Sequence, residues 1–470
     1  MATVGILTFS DGRPFVAEEL EPLNRQFQAQ LQSRLEADGF RVVPGEAIIS
    51  TNEQAVREAK RLAATECDCT IFNFAVWAFP HLPALASRFA PGPFLLYGQV
   101  NPQYPGLVGM LASAGALAQT GTACQRAYGS LEDEAVYKRI AAFVRAAAAV
   151  HQLRGQTFGL VGGRPMGMYT ATADPAQWLS TFGVDVEHID QGEIVRLAED
   201  VPERTVEDAF AWLTEHIGKI HYDGKQLTPD KLKLQIRATE AMKRLIRDYR
   251  LDFSGIKAQP ELTNSFCTMD VTEAFLNDPY DWGGPHEPHV CATEADMDGA
   301  LTMQILKSLA HTPALFADVR HYHSDRNIWD LCNSGEHATY FAHRSFSPDD
   351  NLPSVEFFPE GFYFPAGGAS VRFVAAPGDA TFARFTRTAG EYHLRIVRGA
   401  FLTFDAETTE SLMRQTTYEW PHAFAQFECS ADDFLSSYSS NHIHAVYGDW
   451  VAELKLVGEL LGVTTHVYGR

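Results

Sequence analysis

Apolar positions in the first third of the chain follow two alternating patterns. Short apolar runs, such as residues 4–9 and 69–77, are typical of buried parallel strands. Between such runs, residues 52–65 and 137–153 carry apolar side chains at helical spacing. Strands that alternate with helices of this length predict a doubly wound α/β domain with a parallel sheet, which we place at residues 1–154.

The same alternation continues through the second segment, residues 155–335. Its strand candidates are short apolar runs at residues 253–257, 290–293 and 314–317, with helical patterns between them. These patterns predict a second doubly wound α/β domain.

The pattern changes in the last segment, residues 336–470. Short apolar segments separated by Gly and Pro are typical of an antiparallel sheet or barrel. The predicted strands are residues 339–343, 355–358, 370–375, 380–387, 392–396 and 401–404. The chain is therefore predicted to be an α/β protein, with two doubly wound parallel-sheet domains followed by a C-terminal antiparallel β-barrel-like domain.

Composition restricts the partners of this fold. The 470 residues include 59 acidic and 38 basic side chains, which gives a formal net charge of −21. Such a balance argues against binding to nucleic acid or to an anionic membrane, since both require a basic face. The seven cysteines are scattered, no apolar stretch reaches the length of a membrane span, and the start lacks a signal-peptide pattern. We therefore expect reduced cysteines and a cytoplasmic location.

Two acids stand at the ends of predicted strands. The apolar run 290–293 ends at Glu294, and the run ending at residue 317 is followed by Asp318. A helical pattern begins between them at Asp298, a residue type that favours helix N-caps. Strand, helix and strand predict a βαβ unit, whose right-handed crossover would bring both carboxylates to the same edge of one parallel sheet.

Ionising two neighbouring carboxyl groups costs free energy because their charges repel, unless a cation binds between them. Ligands rich in oxygen favour Mn²⁺ or Mg²⁺ over zinc. A purely structural alternative stays open at this point, in which both acids are solvated and cap the following helices. A metal would also need a third ligand. The histidine candidates are His442 with His444, His321 with His323, and His286 with His289.

At this point the residues resemble a known family. Residues 270–296 (DVTEAFLNDPYDWGGPHEPHVCATEAD), followed by residues 316–320 (FADVR), resemble the L-fucose isomerase family, the ketol isomerases of L-fucose and D-arabinose. The resemblance extends over most of the chain. Further matching positions, in the same order, are Asp11-Gly12-Arg13, Trp77, Gly162-Gly163, Met166-Gly167, Asn333-Ser334-Gly335, Trp420-Pro421 and Asn441-His442.

The resemblance implies a three-domain, homohexameric enzyme with a small-molecule sugar substrate. It implies Mn²⁺, with Mg²⁺ or Co²⁺ as alternatives, bound by Glu294, Asp318 and His442. It also implies an aldose–ketose isomerisation through a cis-enediol, in which Glu294 and Asp318 act as metal ligands and as the acid/base pair. The residues that the resemblance places in the sugar pocket are Arg13, Trp77, Met166, Lys257, Gln259, Trp420 and Asn441.

The chain departs from the family pattern at substrate contacts. Lys257 aligns where the family has a glutamine, with Gln259 two residues later, and Tyr363 is the nearest candidate for a pocket tyrosine. Two alternatives follow. Lys257 and Arg13 could read an anionic substituent on a phosphorylated or sulfonated aldose, or the chain could be a non-catalytic sugar-binding protein.

Overall fold

The computed structural model describes residues 2–334 and 337–469. The chain divides into two compact units. The first runs to Gln152 and also includes the late segment Ala452–Leu460, and the second contains the residues between them together with the C-terminal strand region.

Strands and helices alternate throughout the first unit. Its elements are β1 (Thr3–Thr8), α1 (Pro14–Ala37), β2 (Arg41–Pro44), α2 (Asn52–Ala63), β3 (Cys69–Phe74), α3 (His81–Ala86), β4 (Phe94–Gln99), α4 (Gly106–Gln119), β5 (Cys124–Gly129) and α5 (Glu134–Leu153). The five strands form one parallel sheet in the order β2-β1-β3-β4-β5.

Both faces of this sheet are covered. Leu7, Phe72 and Leu96 pack on one face against α2, α3 and α4, and Ile6 and Ile71 pack on the other face against α1 and α5. The apolar runs are therefore buried on both sides, which explains why they do not alternate with polar residues. The predicted doubly wound parallel sheet is confirmed in this region.

The second unit begins with another alternating segment. Its elements are β6 (Thr157–Val161), α6 (Pro175–Phe182), β7 (Asp185–Ile189), α7 (Gly192–Glu199), α8 (Glu203–His216), β8 (Lys219–Ile220), α9 (Pro229–Tyr249), β9 (Phe253–Ile256), α10 (Glu261–Ser265), α11 (Asp270–Asn277), β10 (Tyr280–Asp281), β11 (Gly284–Pro285), β12 (Cys291–Thr293) and α12 (Met297–Ala310). Four of the strands form a parallel sheet in the order β12-β9-β6-β7.

The rest of the unit is rich in strands. Its elements are β13 (Leu315–His323), β14 (Ile328–Cys332), α13 (Pro348–Asn351), β15 (Glu356–Pro359), β16 (Ala369–Arg372), β17 (Gly378–Thr388), β18 (Glu391–Phe401), α14 (Ala406–Met413), β19 (His422–Phe427), α15 (Ala431–Ser437), β20 (His442–Tyr447), α16 (Val451–Leu461) and β21 (Thr464–Val467). Most of α16 belongs to the first unit.

A mixed seven-stranded sheet organises this region. Its order is β17-β20-β13-β14-β19-β18-β21, and β17 also pairs directly with β18. All pairs are antiparallel except β18 with β21. The antiparallel character predicted for the C-terminal segment is thus present, and the barrel remains a prediction.

Three local expectations were wrong. Residues Thr339–Ala342 form a 3-10 helix and not a strand, and residues 401–404 are not a separate strand because β18 ends at Phe401. The strand after α12 does not rejoin the parallel sheet. β13 instead pairs antiparallel with β14 and β20, so the proposed βαβ unit does not exist.

Candidate active site

Glu294 occupies a strained turn at the end of a buried parallel strand. It follows β12 directly, and its φ of 55° and that of Ala295, 46°, lie in the left-handed region that residues with a Cβ usually avoid. The turn is fixed because the Ala295 N–H donates to the carbonyl of Ile256, at 2.9 Å, on the neighbouring strand β9. Backbone strain of this kind is concentrated at functional sites. Glu294 is buried at this turn, with 7% of the residue exposed.

Asp318 and His442 face each other across two antiparallel strands. Asp318 of β13 and His442 of β20 are register partners. Asn441, immediately before β20, donates its side-chain N–H to Oδ1 of Asp318 over 3.1 Å. Sheet register therefore brings Asp318 and His442 together, whereas the crossover predicted to bring Asp318 beside Glu294 is not formed.

The imidazole of His442 joins three carboxylates. Its Nε2 lies 3.0 Å from Oε2 of Glu294 and 3.5 Å from Oδ1 of Asp318, and its Nδ1 lies 2.6 Å from Oδ2 of Asp296. Burial disfavours the protonated ring, but the carboxylates of Asp296 and Glu294 outweigh it and raise the pKa of His442 to about 10. Burial also raises the pKa of Asp318, against the opposing charge of His442 and with the added charge of Glu294.

Asp296 links this cluster to an arginine. Its carboxylate accepts two hydrogen bonds from Arg384 of β17, at 2.7 and 3.1 Å, and its Oδ1 also caps α12 by accepting from the N–H of Gly299. Burial would raise the pKa of Asp296, but Arg384 and His442 together lower it. The cap requires glycine at position 299, because an added Cβ would lie 2.8 Å from the Asp296 carboxylate and 3.0 Å from the ring of His444.

The sequence did not reveal the importance of Asp296. Asp298 was the predicted N-cap, whereas the helix begins two residues earlier and Asp298 accepts from Arg387 over 2.7 Å. Arg384 was also missed, since nothing in a strand sequence tells which acid its guanidinium will meet. The available signal for Asp296 was its position in the acidic motif, two residues after Glu294.

The competing histidines have other partners. His444 accepts from Arg384 at Nε2, over 2.9 Å, and burial together with this arginine lowers its pKa, so its ring is neutral. His323 packs edge-on against His321, with ring centroids 4.6 Å apart. His289 bonds to the hydroxyl of Ser254 over 3.0 Å. Of the three pairs, only His442 contacts both acids in the described part of the chain.

The donor set of Glu294, Asp318 and His442 fits a hard divalent cation. Oε2 of Glu294 and Nε2 of His442 are buried and have no hydrogen-bond partner, although they lie 3.0 Å apart. Asp296 holds the other ring nitrogen, as carboxylates typically do behind metal-bound histidines. As they stand, the side chains pair with one another, and the described residues hold no preformed cage of three such ligands. Binding a cation would therefore displace the proton of His442.

Lys257 and Gln259 lie near the same end of the parallel sheet as Glu294. Lys257 follows β9, whose last residue, Ile256, is the register partner of Thr293. The ammonium of Lys257 is already paired with the carboxylate of Glu261, at 2.6 Å. This pairing leaves Lys257 poorly suited to read an anionic group on a substrate.

The loop after β6 contacts the site through Met168 and not through the predicted residue, Met166. Met166 has a left-handed backbone, with φ of 39°, and is 55% exposed. Sδ of Met168, two residues later, lies 3.8 Å from the side-chain nitrogen of Asn441. Arg384 and Arg387 donate to backbone carbonyls of this loop and so hold it in place.

Arg13 and Trp77 belong to the first unit. Arg13 follows β1 and makes a bidentate pair with Asp11, at 2.7 and 2.9 Å, and Trp77 follows β3. β1 and β3 are adjacent, and their connections leave the sheet in opposite directions along the strand order. Such a switch point is where open α/β sheets bind ligands.

Trp420 packs against Cys332, the register partner of Asp318. Its ring is 5% exposed and packs with Cys332 and Phe364, and the guanidinium of Arg320 lies 5.1 Å above it. The ring of Tyr363 is 6.0 Å from that of Trp420. Gly335, the last residue of the predicted Asn333-Ser334-Gly335 motif, lies outside the described residues.

Comparison with known proteins identifies the family of the chain. Three family models match the chain: the first N-terminal domain of L-fucose isomerase at residues 1–155, the second N-terminal domain at residues 249–311 and the C-terminal domain at residues 331–468. L-fucose isomerases of Escherichia coli O139:H28 (strain E24377A / ETEC) and of Escherichia coli strain K12 / DH10B are each 25% identical over 398 residues, covering 70% of this chain and 67% of theirs.

The matching domains define an aldose–ketose isomerase, an intramolecular oxidoreductase. The chain belongs to the L-fucose isomerase family. Among the described residues, none of the helices combines the length and apolar character that a membrane span requires.

Proposed function

We propose that this chain is a metal-dependent isomerase of L-fucose- and D-arabinose-type sugars, acting through a cis-enediol. One observation carries the proposal. The Nε2 atom of His442 lies within 3.5 Å of carboxylate oxygens from both Glu294 and Asp318, while Asp296 occupies its other ring nitrogen.

The proposed cofactor is Mn²⁺, with Mg²⁺ or Co²⁺ as alternatives. Two carboxylates and one imidazole suit such hard or borderline ions, and they leave further coordination positions for substrate. Glu294, Asp318 and His442 would hold the ion. When bound, it supplies electrophilic stabilisation of the negative charge that develops on O1 and O2 of the sugar.

The chain's own carboxylates carry the proton transfers. One takes the proton from C2 and returns it to C1, and the other moves a proton between the two hydroxyl oxygens, so no proton is lost overall. Asn441 fixes one oxygen of Asp318 by its hydrogen bond, which leaves the second oxygen available. Asp296 keeps the His442 ring oriented with Nε2 towards the two acids.

The sugar pocket is proposed to use residues from several connections. The candidates are Arg13, Trp77, Met166, Lys257, Gln259, Trp420 and Asn441. The ion pair between Lys257 and Glu261 and the bidentate pair between Arg13 and Asp11 leave neither cation free for a phosphate or sulfonate. An anionic aldose is therefore not favoured as substrate.

The assembly and location are part of the same proposal. We propose that the protein is a homohexamer in the cytoplasm, as the family resemblance implies. Each subunit would have three domains, at residues 1–154, 155–335 and 336–470. Large apolar side chains that are strongly exposed on the single chain, such as Phe15 and Phe362, support an oligomer. The pairing of β17 with both β20 and β18 supports a barrel-like closure of the C-terminal sheet.

The test is a chelation and reconstitution experiment. The protein is stripped of metal and assayed with L-fucose and D-arabinose, with and without added Mn²⁺, and ketose formation is measured. We expect turnover only with metal. Turnover that survives complete removal of metal would contradict the mechanism.

A matched pair of variants sharpens the test. Glu294→Gln keeps the shape of the side chain and should abolish turnover while leaving the melting temperature nearly unchanged. Glu58→Gln changes an equally buried glutamate in the first unit, where it pairs with Arg57 and Arg61, and should retain turnover. Equal losses in both variants would indicate a folding defect and not loss of a ligand.

A further inference from the structure

Two buried acids outside the proposed metal site contact each other. Asp270 is the first residue of α11, and Glu360 follows β15, and each is 3% exposed. The two carboxyls lie close enough to shift each other's pKa and to form a hydrogen bond if one is protonated, and Oδ2 of Asp270 is buried with no donor among the described residues. Because two carboxylates have only acceptors, such a bond requires a proton between them. We call these two residues the carboxyl pair.

The surroundings of the carboxyl pair disfavour a double negative charge. Burial raises the pKa of Asp270 to about 7 and raises that of Glu360 as well, and the described residues place no cation among the groups that act on either acid. Glu273, one turn further along α11, adds a third buried carboxyl. Sharing one proton costs less free energy than ionising both acids, as in other pairs of neighbouring buried carboxyls.

A tryptophan side chain donates to the carboxyl pair. The indole N–H of Trp420 donates to Oε1 of Glu360. The Trp420 ring is 5% exposed, so its N–H needs a protein partner. Glu360 therefore fixes the edge of the ring, and the Arg320 guanidinium, 5.1 Å from its centroid, covers one face.

This ring adjoins the strand that carries Asp318. Arg320 is two residues after Asp318 on β13, and Cys332, the register partner of Asp318, packs against Trp420. Any shift of the indole would move the side chains next to the proposed reaction centre. The edge of the ring is held by Glu360 of the carboxyl pair, whose two members are each 3% exposed.

We propose that Asp270 and Glu360 form a proton-sharing positioning device, which holds the indole of Trp420 as one wall of the sugar site beside Asp318. This role rests on the proposed function, because it assumes that sugar binds next to Asp318. Glu360 is a positioning residue and not a catalytic one, since it acts through Trp420.

The kinetic test replaces the acceptor while keeping its volume. Glu360→Met should raise KM for the sugar about tenfold, the size of a lost hydrogen bond to a charged acceptor, with a much smaller change in kcat. Glu360→Gln should restore nearly normal KM, because the amide oxygen accepts from the indole and the amide N–H donates to Asp270. A Glu360→Gln variant as impaired as Glu360→Met would overturn the proposal.

A double variant separates positioning from general damage. In a Trp420→Phe background the indole N–H is gone, so Glu360→Met should raise KM no further. An equal rise in both backgrounds would contradict the proposal. The matched control is Glu240→Met, because Glu240 of α9 also accepts from an indole, that of Trp282, over 2.8 Å. It should leave KM unchanged.

A spectroscopic readout does not depend on turnover. The full-length protein is labelled with 5-fluorotryptophan, and the Trp420 resonance is assigned from Trp420→Phe. Glu360→Met should shift and broaden this resonance, whereas Glu360→Gln and Glu240→Met should leave it in place. If Glu360→Met does not fold, Glu360→Leu takes its place.

The two proposals can fail separately. A protein that turns over no aldose, but whose Trp420 resonance moves as expected, would contradict the proposed function and leave the fixing of the indole supported. A resonance that does not move in Glu360→Met would overturn the positioning device, whatever the activity.

Discussion

The second unit buries carboxylates in two different ways. Around His442, the acids Glu294, Asp296 and Asp318 meet an imidazole, and Asp296 also meets Arg384. We call these five residues the cation-paired cluster. In the carboxyl pair, by contrast, a proton and an indole N–H take the place of a cation.

The difference appears when the pKa shift of Asp296 is compared with that of Asp270. Arg384 and His442 lower the pKa of Asp296 despite its burial, whereas burial dominates for Asp270 and raises its pKa to about 7. A buried acid with a cation stays ionised and can exchange that cation for a metal ion. A buried acid without one keeps a proton and serves as a hydrogen-bonding support.

The largest expected effect tests the chemical role of the cation-paired cluster. Asp318→Asn removes a proposed ligand and a proposed acid/base group together, so kcat should fall by a factor of about 10³ or more. Steady-state turnover of L-fucose or D-arabinose with Mn²⁺ measures it. Asp325→Asn, in the exposed turn at the end of the same strand, is the control and should lie within twofold of the parent.

The next effect concerns stability. Arg384→Met removes the cation that pairs with Asp296 and leaves that carboxylate poorly compensated, so unfolding should become easier by about 3–5 kcal/mol. Denaturant titration of the metal-free protein measures the change. Arg398→Met is the control, because Arg398 is half-exposed and pairs with Glu428 and Asp449 at the surface. Arg398→Met should lower the free energy of unfolding by less than about 1 kcal/mol. A similar loss in both variants would contradict the special importance of the buried pair between Arg384 and Asp296.

A smaller effect concerns metal affinity. Asp296→Asn weakens the hydrogen bond behind the His442 ring, so Mn²⁺ should bind about 10–100-fold more weakly. Isothermal titration calorimetry on the apo protein measures it. Asp405→Asn, an exposed helix cap that accepts from the N–H of Thr408 over 2.8 Å, changes the same type of cap and should leave affinity unchanged.

The final effect is a pH dependence that distinguishes the two kinds of acid. The pKa of Asp270 in the folded protein, about 7, exceeds the unfolded value of about 3.9, so the folded state binds more protons between about pH 4 and 7. Its contribution to stability therefore falls as the pH rises through that window, by at most about 1.4 kcal/mol per pH unit, and levels off above it. Asp270→Asn should flatten the slope in denaturant titrations at several pH values.

The pKa of Asp281 is shifted in the opposite direction to that of Asp270, so its contribution to stability depends on pH in the opposite sense. Burial opposes its ionisation, but His286 and Lys243 lower its pKa to about 2. Its contribution is present above about pH 4 and is lost as the pH falls towards 2, so Asp281→Asn should flatten a slope that rises with pH. If both variants change the slope in the same direction, the distinction between the two kinds of acid is wrong.

Much of the fold was predictable because local patterns determine it. The alternation of apolar runs and amphipathic segments predicted the parallel sheet, and the predicted strand ends drew attention to Glu294 and Asp318. Glu294 does follow a strand end, but Asp318 lies within β13, because that strand continues to His323. The partner of β13 was not predictable from these patterns. An apolar run fixes burial and not the sheet that it joins, so the antiparallel pairing with β20 was missed.

The supporting residues were harder to predict than the candidate ligands. Asp270 and Glu360 are distant in sequence, and acids are read as surface residues unless a partner is evident. Their proximity depends on how α11 and the loop after β15 pack. Arg384 lay in a predicted strand, but only the tertiary structure identifies Asp296 as its partner.

The register of β13 and β20 has a consequence for biosynthesis. A ribosome makes β13 and β17 before β20, yet β20 must lie between them. The donor set of Glu294, Asp318 and His442 therefore cannot assemble on the nascent chain until β20 has been synthesised. Until then, β13 and β17 present unpaired edges that can recruit other chains. Premature termination or proteolysis before β20 would thus remove the candidate metal site and create an aggregation-prone fragment.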